Sequence, residues 1–198
     1  QASAALDNMY PGRFLLGVGT GEAVNERPFF NDNWPPWKER IDRLTEGLTL
    51  IRNMWDHAEP FSFNGTYFTS DFIFLYTKPK TRIPIYFSAV GKKAAYSAGR
   101  FGDHLVTLSP RNNANRLKNT ILPEFRRGCS DANRNTGDAL VSLDFSLESP
   151  EKVWTTSRRS LGYMTKDAWS LKTPVEVEER GEKMTISEIR ERIHFCSN

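Results

Sequence analysis

The chain has 198 residues, a formal net charge of +3 and 38% hydrophobic residues, which is enough for one domain with a substantial core. No run approaches the roughly 20 apolar residues that cross a bilayer, and the charges are interspersed without the basic stripe of a nucleic-acid-binding protein. The two cysteines, Cys129 and Cys196, are too few for a disulfide framework. We therefore expect a cytoplasmic protein that binds neither membranes nor nucleic acid.

The first strong pattern is a strand that leads into a glycine-rich turn. The apolar run over 14–19 lacks polar alternation, as expected of a parallel strand covered on both faces. Residues 17–22 read Gly-Val-Gly-Thr-Gly-Glu, and glycines let a backbone turn tightly and approach a ligand closely. The loop residues that follow, with Pro28, predict that no helix opens directly after these glycines, and the acidic residue of a dinucleotide fingerprint does not follow at the end of a second strand.

Helices and strands then alternate along the chain. Apolar residues recur every three or four positions over 37–55, which predicts a helix. Residues 61–68 predict a hairpin, with Asn64-Gly65 as its positive-φ turn. The later predicted elements are a strand over 83–89, an Ala-rich helix over 92–99 that ends at Gly99, a strand over 105–108, a helix over 115–133 that restarts or kinks at Pro123, a strand over 140–147 and a last helix opening at 186–195.

This alternation indicates βαβ units with a parallel sheet. The four strands of the main series fit either a doubly wound sheet or half of a (β/α)8 barrel. The three histidines, His57, His104 and His194, are far apart in sequence. No Cys/His/Asp spacing resembles a metal site, so we predict none.

Polar groups after the first strand are the first candidates for function. Glu22 would exchange a proton with a ligand if partial burial raised its pKa. Asn25 would fix a polar ring edge through its amide. The simpler alternatives are a strand-ending turn and a loop carboxylate paired with Arg13 or Arg27.

Two further strand ends carry groups that bind anions. Residues 88–93 place free backbone N–H groups, a helix N-terminus and two lysines after a strand. The alternative is a plain βα turn with exposed lysines. After the strand at 105–108, Arg111 would clamp a phosphate or carboxylate, unless it is simply a solvated loop arginine.

Residues 10–26, which contain Gly-Thr-Gly-Glu and the following asparagine, resemble the signature of luciferase-like oxidoreductases that use the deazaflavin coenzyme F420. The likeness is greatest to the branch of F420-dependent glucose-6-phosphate and secondary alcohol dehydrogenases. It continues through residues 34–40, the hairpin at 63–67 and residues 98–103. The resemblance implies an α/β fold, a partial (β/α)8 TIM barrel of the bacterial luciferase-like type with a β-hairpin insertion. The whole of 1–198 would be a single incomplete domain, from the region of the fourth strand to that of the last helix, with an insertion-like segment at 140–185.

The resemblance also implies roles for individual residues. The positions that match the deazaflavin ring pocket are Thr20, Gly21, Glu22 and Asn25, with Glu22 as the catalytic residue that handles a proton near the ring. The positions that match the cradle of the coenzyme phosphate are Ala89, Val90 and Gly91, where Val90 stands in the place of a glycine favoured by the sugar-phosphate enzymes.

At the end of the predicted strand over 105–108, two residues differ from those of the sugar-phosphate enzymes at positions that concern the substrate. Arg111 falls where the sugar-phosphate enzymes place a lysine that holds the substrate phosphate, so the resemblance makes it a substrate-binding residue. Leu108 falls where they place a threonine. Loss of that hydroxyl favours another alcohol or carbonyl compound over glucose 6-phosphate.

The function implied is hydride transfer between an alcohol or sugar-phosphate type substrate and F420. The alternatives are a non-catalytic barrel relative that serves as scaffold, subunit or ligand binder, and a luciferase-like monooxygenase that uses FMN. The family's catalytic histidine, a tryptophan and a coenzyme-binding aspartate belong to earlier strands that have no counterpart here. We therefore expect a fragment or truncated relative whose open strand edges are covered in a homo-oligomer or by another chain.

Overall fold

The computed structural model describes residues 1–31, 33–108, 114–165 and 167–196. They divide into two compact units, each considered by itself below. The first comprises Gln1–Thr20, Pro36–Thr107 and Asn119–Leu140, and the second the described parts of Gly21–Pro35, Leu108–Lys118 and Val141–Asn198. The division expected from the sequence, one incomplete domain with an insertion-like segment at 140–185, stays a prediction.

The helices are, in chain order, α1 (Ala2–Met9), α2 (Ala23–Glu26), α3 (Trp37–Asp56), α4 (Lys92–Phe101), α5 (Ala114–Arg116), α6 (Leu122–Asp131), α7 (Pro150–Ser157), α8 (Pro174–Glu182) and α9 (Ile186–Arg192). The strands are β1 (Leu16–Val18), β2 (Phe61–Asn64), β3 (Thr69–Ile73), β4 (Ile85–Ser88), β5 (His104–Leu108), β6 (Ala139–Ser142), β7 (Phe145–Ser146) and β8 (His194–Phe195). Among the described residues, every helix is too short or too polar to cross a bilayer.

A sheet with the order β1-β4-β5-β6 is the base of the first unit. β1 runs parallel to β4, and β4 runs parallel to β5, as the sequence predicts. Along β4 and β5 the residues Ile85, Phe87 and Leu105 are fully buried. Their neighbours in sequence are half-buried or exposed, so one face of the sheet is buried more completely than the other.

Helices α4 and α6 pack so closely that two glycines are required. A Cβ at Gly99 would overlap the carbonyl of Phe125 and lie 2.7 Å from the amide of Cys129. A Cβ at Gly128 would overlap the carbonyl of Tyr96. The prediction that Gly99 ends its helix is therefore wrong. The helix continues to Phe101, and the glycine serves to bring the two backbones together.

The helix predicted over 115–133 is divided. A π-helical segment over Leu117–Ile121 precedes α6, which carries Pro123 in its first turn. Proline has no N–H to donate and is tolerated there, because the first amides of a helix have no partner within it. The predicted restart at Pro123 is confirmed.

The predicted hairpin is confirmed as the antiparallel pair β2 and β3, and it is fastened to α3. The Glu46 carboxylate of α3 accepts hydrogen bonds of 2.8–2.9 Å from the amides of Thr66, Tyr67 and Phe68. Burial alone would raise the pKa of Glu46, but these three amides lower it below its ordinary value. Gly65 does not adopt positive φ, so that prediction is wrong. A Cβ there would collide with the Glu46 carboxylate, which explains the glycine.

A charged cluster lies where β5 begins, at the edge opposite the strands' carboxyl ends. Asp103 accepts hydrogen bonds from the Ile85 amide (2.8 Å) and from Arg82 and Arg134 (2.7 Å each), and it also pairs with Arg52. Its side chain is only 14% exposed. Burial would raise the pKa of Asp103, but the Ile85 amide and the guanidinium groups of Arg82 and Arg52 outweigh it and hold the pKa at about 2.

The second unit has its own core of five buried residues, one in α7, one in α9 and three in the segments that precede or follow α8 and α9: Val153, Ile189, Leu161, Met184 and Ile193. The N-caps of α7, α8 and α9 are Ser149, Thr173 and Thr185. The hydroxyl of each accepts a hydrogen bond from a backbone amide in the first turn of its helix. The single strand predicted over 140–147 is split into β6 and β7. β7 pairs in parallel with β8, a partner distant in sequence, and the His194 amide donates to the Asp144 carbonyl.

Candidate functional site

The carboxyl ends of β1 and β4 form one corner of the sheet in the first unit. Because the two strands are parallel neighbours, the turns that follow them lie side by side, and a Cβ at Gly19 would be 3.6 Å from Cβ of Ser88. This corner brings Thr20 together with the segment 89–91. Ligands of parallel α/β sheets bind outside the carboxyl ends of the strands, so the corner is a candidate binding site.

The turn after β4 leads into a helix, α4, that no side chain of the described residues caps. The Ala89 amide still donates to the Val106 carbonyl at 2.9 Å, which holds the turn to β5. Gly91 is the N-cap of α4, and among the described residues no side chain accepts a hydrogen bond from its first turn. A Cβ at Gly91 would meet nothing within 4 Å. Among the described residues the first amides of α4 therefore have no side-chain partner, and such an N-terminus suits a phosphate group.

The charges next to this helix end are partly balanced. Lys92 Nζ lies 3.3 Å from Glu124 Oε1, and Arg127 Nη2 lies 2.6 Å from the other oxygen of that carboxylate. The hydrogen bond from Arg127 lowers the pKa of Glu124. Lys93 is exposed in the same first turn of α4. The N-terminus of α4 therefore combines the helix dipole with lysine charge.

The turn after β1 is held by an arginine that sequence patterns did not single out. Arg40 Nη1, from α3, donates to the Thr20 carbonyl at 2.9 Å. Arg40 is half-buried and stands three residues after Trp37, on the side of α3 that carries the buried Ile41. A charged residue on the buried side of a helix needs a polar partner, and that position was the signal in the sequence.

The second unit holds Gly21, Glu22 and Asn25, the remaining residues of the predicted ring pocket. Gly21 has φ +74°, a conformation that favours glycine. Glu22 is the N-cap of α2, and its Oε2 accepts a hydrogen bond from Asn25 Nδ2 at 3.3 Å. Glu22 is half-buried and Asn25 is exposed. These two side chains of the prediction therefore contact each other.

Glu26 is the second residue that sequence patterns did not single out. Its Oε2 accepts a hydrogen bond from the Glu22 amide at 2.9 Å. A carboxylate that reaches back to the N-cap amide resembles half of a capping box, in which the acidic residue stands three positions after the cap. Here the spacing is four, so the usual motif did not reveal it.

The predicted substrate site is described only in part. Leu108 ends β5 and is 46% exposed. Arg111 lies outside the described residues, so its role stays a prediction. The described residues contain no cluster of three His, Cys, Asp or Glu side chains able to hold a metal ion.

The comparisons with known proteins agree with this architecture. The F420-dependent glucose-6-phosphate dehydrogenase of Segniliparus rotundus is 34% identical over 197 residues, which are 97% of this chain and 58% of that protein. The enzyme of the same name from Nakamurella multipartita is also 34% identical, over 97% of this chain and 57% of that protein. The chain thus spans little more than half the length of these curated relatives.

A solved structure shows the same likeness in three dimensions. An F420-dependent secondary alcohol dehydrogenase in complex with an F420-acetone adduct is 34% identical and superposes with a TM-score of 0.86, over 98% of this chain and 59% of that one. The expected partial barrel with its hairpin insertion is thereby confirmed. The sequence profile of the luciferase-like monooxygenase family matches residues 1–194. The chain belongs to the luciferase-like monooxygenase family.

Proposed function

We propose that this chain is part of an F420-dependent oxidoreductase that transfers a hydride between an alcohol or sugar-phosphate type substrate and the deazaflavin. The observation that carries the proposal is the superposition, with a TM-score of 0.86, on an alcohol dehydrogenase that holds an F420 adduct. The end of α4, which no described side chain caps, lies at the same corner as the turn after β1 and supports the proposal, because a helix N-terminus suits a phosphate. The coenzyme would supply the hydride chemistry, and the protein the binding, orientation and electrostatics.

In this proposal each turn has its own task. Ala89, Val90 and Gly91, with the first amides of α4, hold the coenzyme phosphate. Thr20 and Gly21 approach the ring through their backbone, since neither presents a bulky side chain.

Glu22 is proposed to hold or move a proton next to the ring, through its carboxylate. Asn25 donates to Oε2 of Glu22 and thereby fixes the direction of the other carboxylate oxygen. Arg111 is proposed to bind an anionic group of the substrate. Leu108, where a threonine is expected, favours a substrate other than glucose 6-phosphate.

Titration of the chain with F420, followed by fluorescence, tests the proposal. We expect Glu22→Ala and Asn25→Ala to weaken binding about tenfold, which is the loss of one hydrogen bond of about 1.4 kcal/mol. Glu22→Gln should bind F420 nearly as well as the wild type, because it keeps the shape of the side chain. Glu178→Ala, at an exposed position of α8, is the matched control and should bind unchanged.

The same titration separates the alternatives. Tight binding of FMN with none of F420 would favour a luciferase-like monooxygenase. Binding of neither coenzyme would favour the hypothesis of a non-catalytic barrel relative. Equal affinity of the wild type and Glu22→Ala for F420 would remove Glu22 from the site.

The outer strand edges of the described sheet support a second proposal, that another copy or another chain covers them. β1 and β6 are the outer strands of the sheet, and Leu15 and Leu140 at these strands are 50% and 51% exposed. Single exposed apolar residues are ordinary, but unpaired strand edges with apolar side chains favour association.

Light scattering during size-exclusion chromatography tests this association. We expect a mass at least twice the 22.7 kDa of the chain, and dissociation on Leu140→Lys, which places a charge on the outer strand. Val175→Lys, at a residue of α8 that is 63% exposed, should leave the mass unchanged. A wild-type protein that stays monomeric at every concentration would contradict the proposal.

A further inference from the structure

Two backbone groups of the turn between β1 and α2 are held by side chains, one from an arginine and one from a glutamate. The carbonyl of Thr20 accepts from the Arg40 guanidinium, and the amide of Glu22 donates to the Glu26 carboxylate. We propose that Arg40 and Glu26 are positioning residues: in the first unit Arg40 holds the backbone at Thr20, and in the second unit Glu26 holds the backbone at Glu22, two residues that the proposed function places next to the deazaflavin ring. The inference rests on the proposed function, because only that function gives the turn a ring to seat.

Glu26 fixes the Glu22 end of the turn. Its Oε2 lies 2.9 Å from the Glu22 amide, and the Glu22 carbonyl in turn accepts from the amides of Asn25 (3.2 Å) and Glu26 (3.0 Å). Both backbone groups of Glu22 are therefore engaged, and so is its carboxylate, through Asn25. These bonds restrict both the backbone and the carboxylate of Glu22.

Glu26 also explains why Gly21 is a glycine. A Cβ at Gly21 would overlap the Glu26 carboxylate, with the carboxyl carbon at 2.8 Å. The φ of +74° at Gly21 is a second reason for the same residue. The Glu26 carboxylate can therefore occupy this position only if residue 21 has no side chain. In the proposed function the ring also needs a residue without a side chain there.

Arg40 fixes the other end of the turn. Its guanidinium approaches from the first turns of α3, and the 2.9 Å bond ends on the carbonyl of the residue before Gly21. Arg40 is half-buried, so water screens this bond less than it would at the surface. A rigid helix thus holds the backbone at Thr20.

Charge-assisted hydrogen bonds are stronger than neutral ones, so a backbone held by them is ordered before a ligand arrives. A turn that must first become ordered spends part of the binding free energy on its own ordering. Removal of either charged side chain should therefore weaken coenzyme binding through the turn.

The test compares F420 binding by Arg40→Ala, Arg40→Lys, Glu26→Ala and Glu26→Gln. The matched controls are Arg43→Ala and Glu39→Ala, which break an ion pair of 3.0 Å on α3 itself. We expect both alanine variants at the turn to bind F420 at least tenfold more weakly and to shift the absorption band of the bound ring. The controls should do neither. Glu26→Gln, which keeps an acceptor oxygen, should recover most of the affinity.

A thermal unfolding curve for each variant separates positioning from folding, since a merely structural role would lower the unfolding temperature and leave the bound-ring spectrum unchanged. Wild-type protein that binds F420 while the turn variants bind it equally well would overturn this inference and leave the proposed function standing. Wild-type protein that does not bind F420 would overturn the proposed function, and the inference with it.

Discussion

Replacing Asp103 by alanine should lower the free energy of unfolding by about 3–5 kcal/mol, the usual effect of removing one partner from a buried ion pair. The Asp103 carboxylate forms ion pairs with three arginines, Arg52, Arg82 and Arg134, and the substitution removes all three ion pairs. Urea unfolding measures the loss as a lower midpoint. Asp42→Ala is the control, because its ion pair with Lys38 is exposed and should be worth less than about 1 kcal/mol.

The same cluster should make stability depend on pH in the acid range. The pKa of Asp103 is about 2 in the folded protein, below its ordinary value of 3.8. The folded state therefore binds this proton less tightly than the unfolded state, and the stabilisation is present above pH 3.8 and lost as the pH falls towards 2. The expected contribution is about 2 kcal/mol.

Unfolding curves between neutral pH and pH 2, compared for the wild type and Asp103→Asn, measure this contribution. The free energy of unfolding of Asp103→Asn should fall less between neutral and acid pH than that of the wild type, because the asparagine side chain does not titrate. Parallel pH profiles for the two proteins would show that Asp103 is not the group responsible.

Gly128→Ala should cost about 3 kcal/mol, at the upper end of ordinary overpacking. The added methyl group would meet backbone of α4, at the carbonyl of Tyr96, which cannot move aside as a side chain can. Gly99→Ala should behave alike, against the backbone of α6. Gly17→Ala is the control, since a Cβ there meets nothing within 4 Å. Equal urea midpoints for Gly128→Ala and Gly17→Ala would show that α4 and α6 can separate without cost.

Local patterns in the sequence predicted the elements whose cause is local. The apolar period over 37–55 predicted α3, and the aromatic arms around Asn64-Gly65 predicted the hairpin. The predictions were wrong where a residue distant in sequence determines the local structure. Gly99 faces another helix, Gly65 leaves room for Glu46, and residues 145–146 turn away to pair with β8.

The candidate site shows the same division. The glycines after β1 and the lysines after β4 marked two turns, and the parallel pairing of those strands sets the turns side by side. The bonds of Arg40 and Glu26 end on backbone atoms, so residue types alone do not reveal these partners, and the position of Arg40 on α3 indicates only that it needs a polar partner.

Three amides of the hairpin converge on the Glu46 carboxylate of α3, two on Oε1 and one on Oε2. If the hairpin lifts away from α3, this carboxylate and the three N–H groups lose these partners. We therefore expect a displacement of α3 to carry the tip of the hairpin with it.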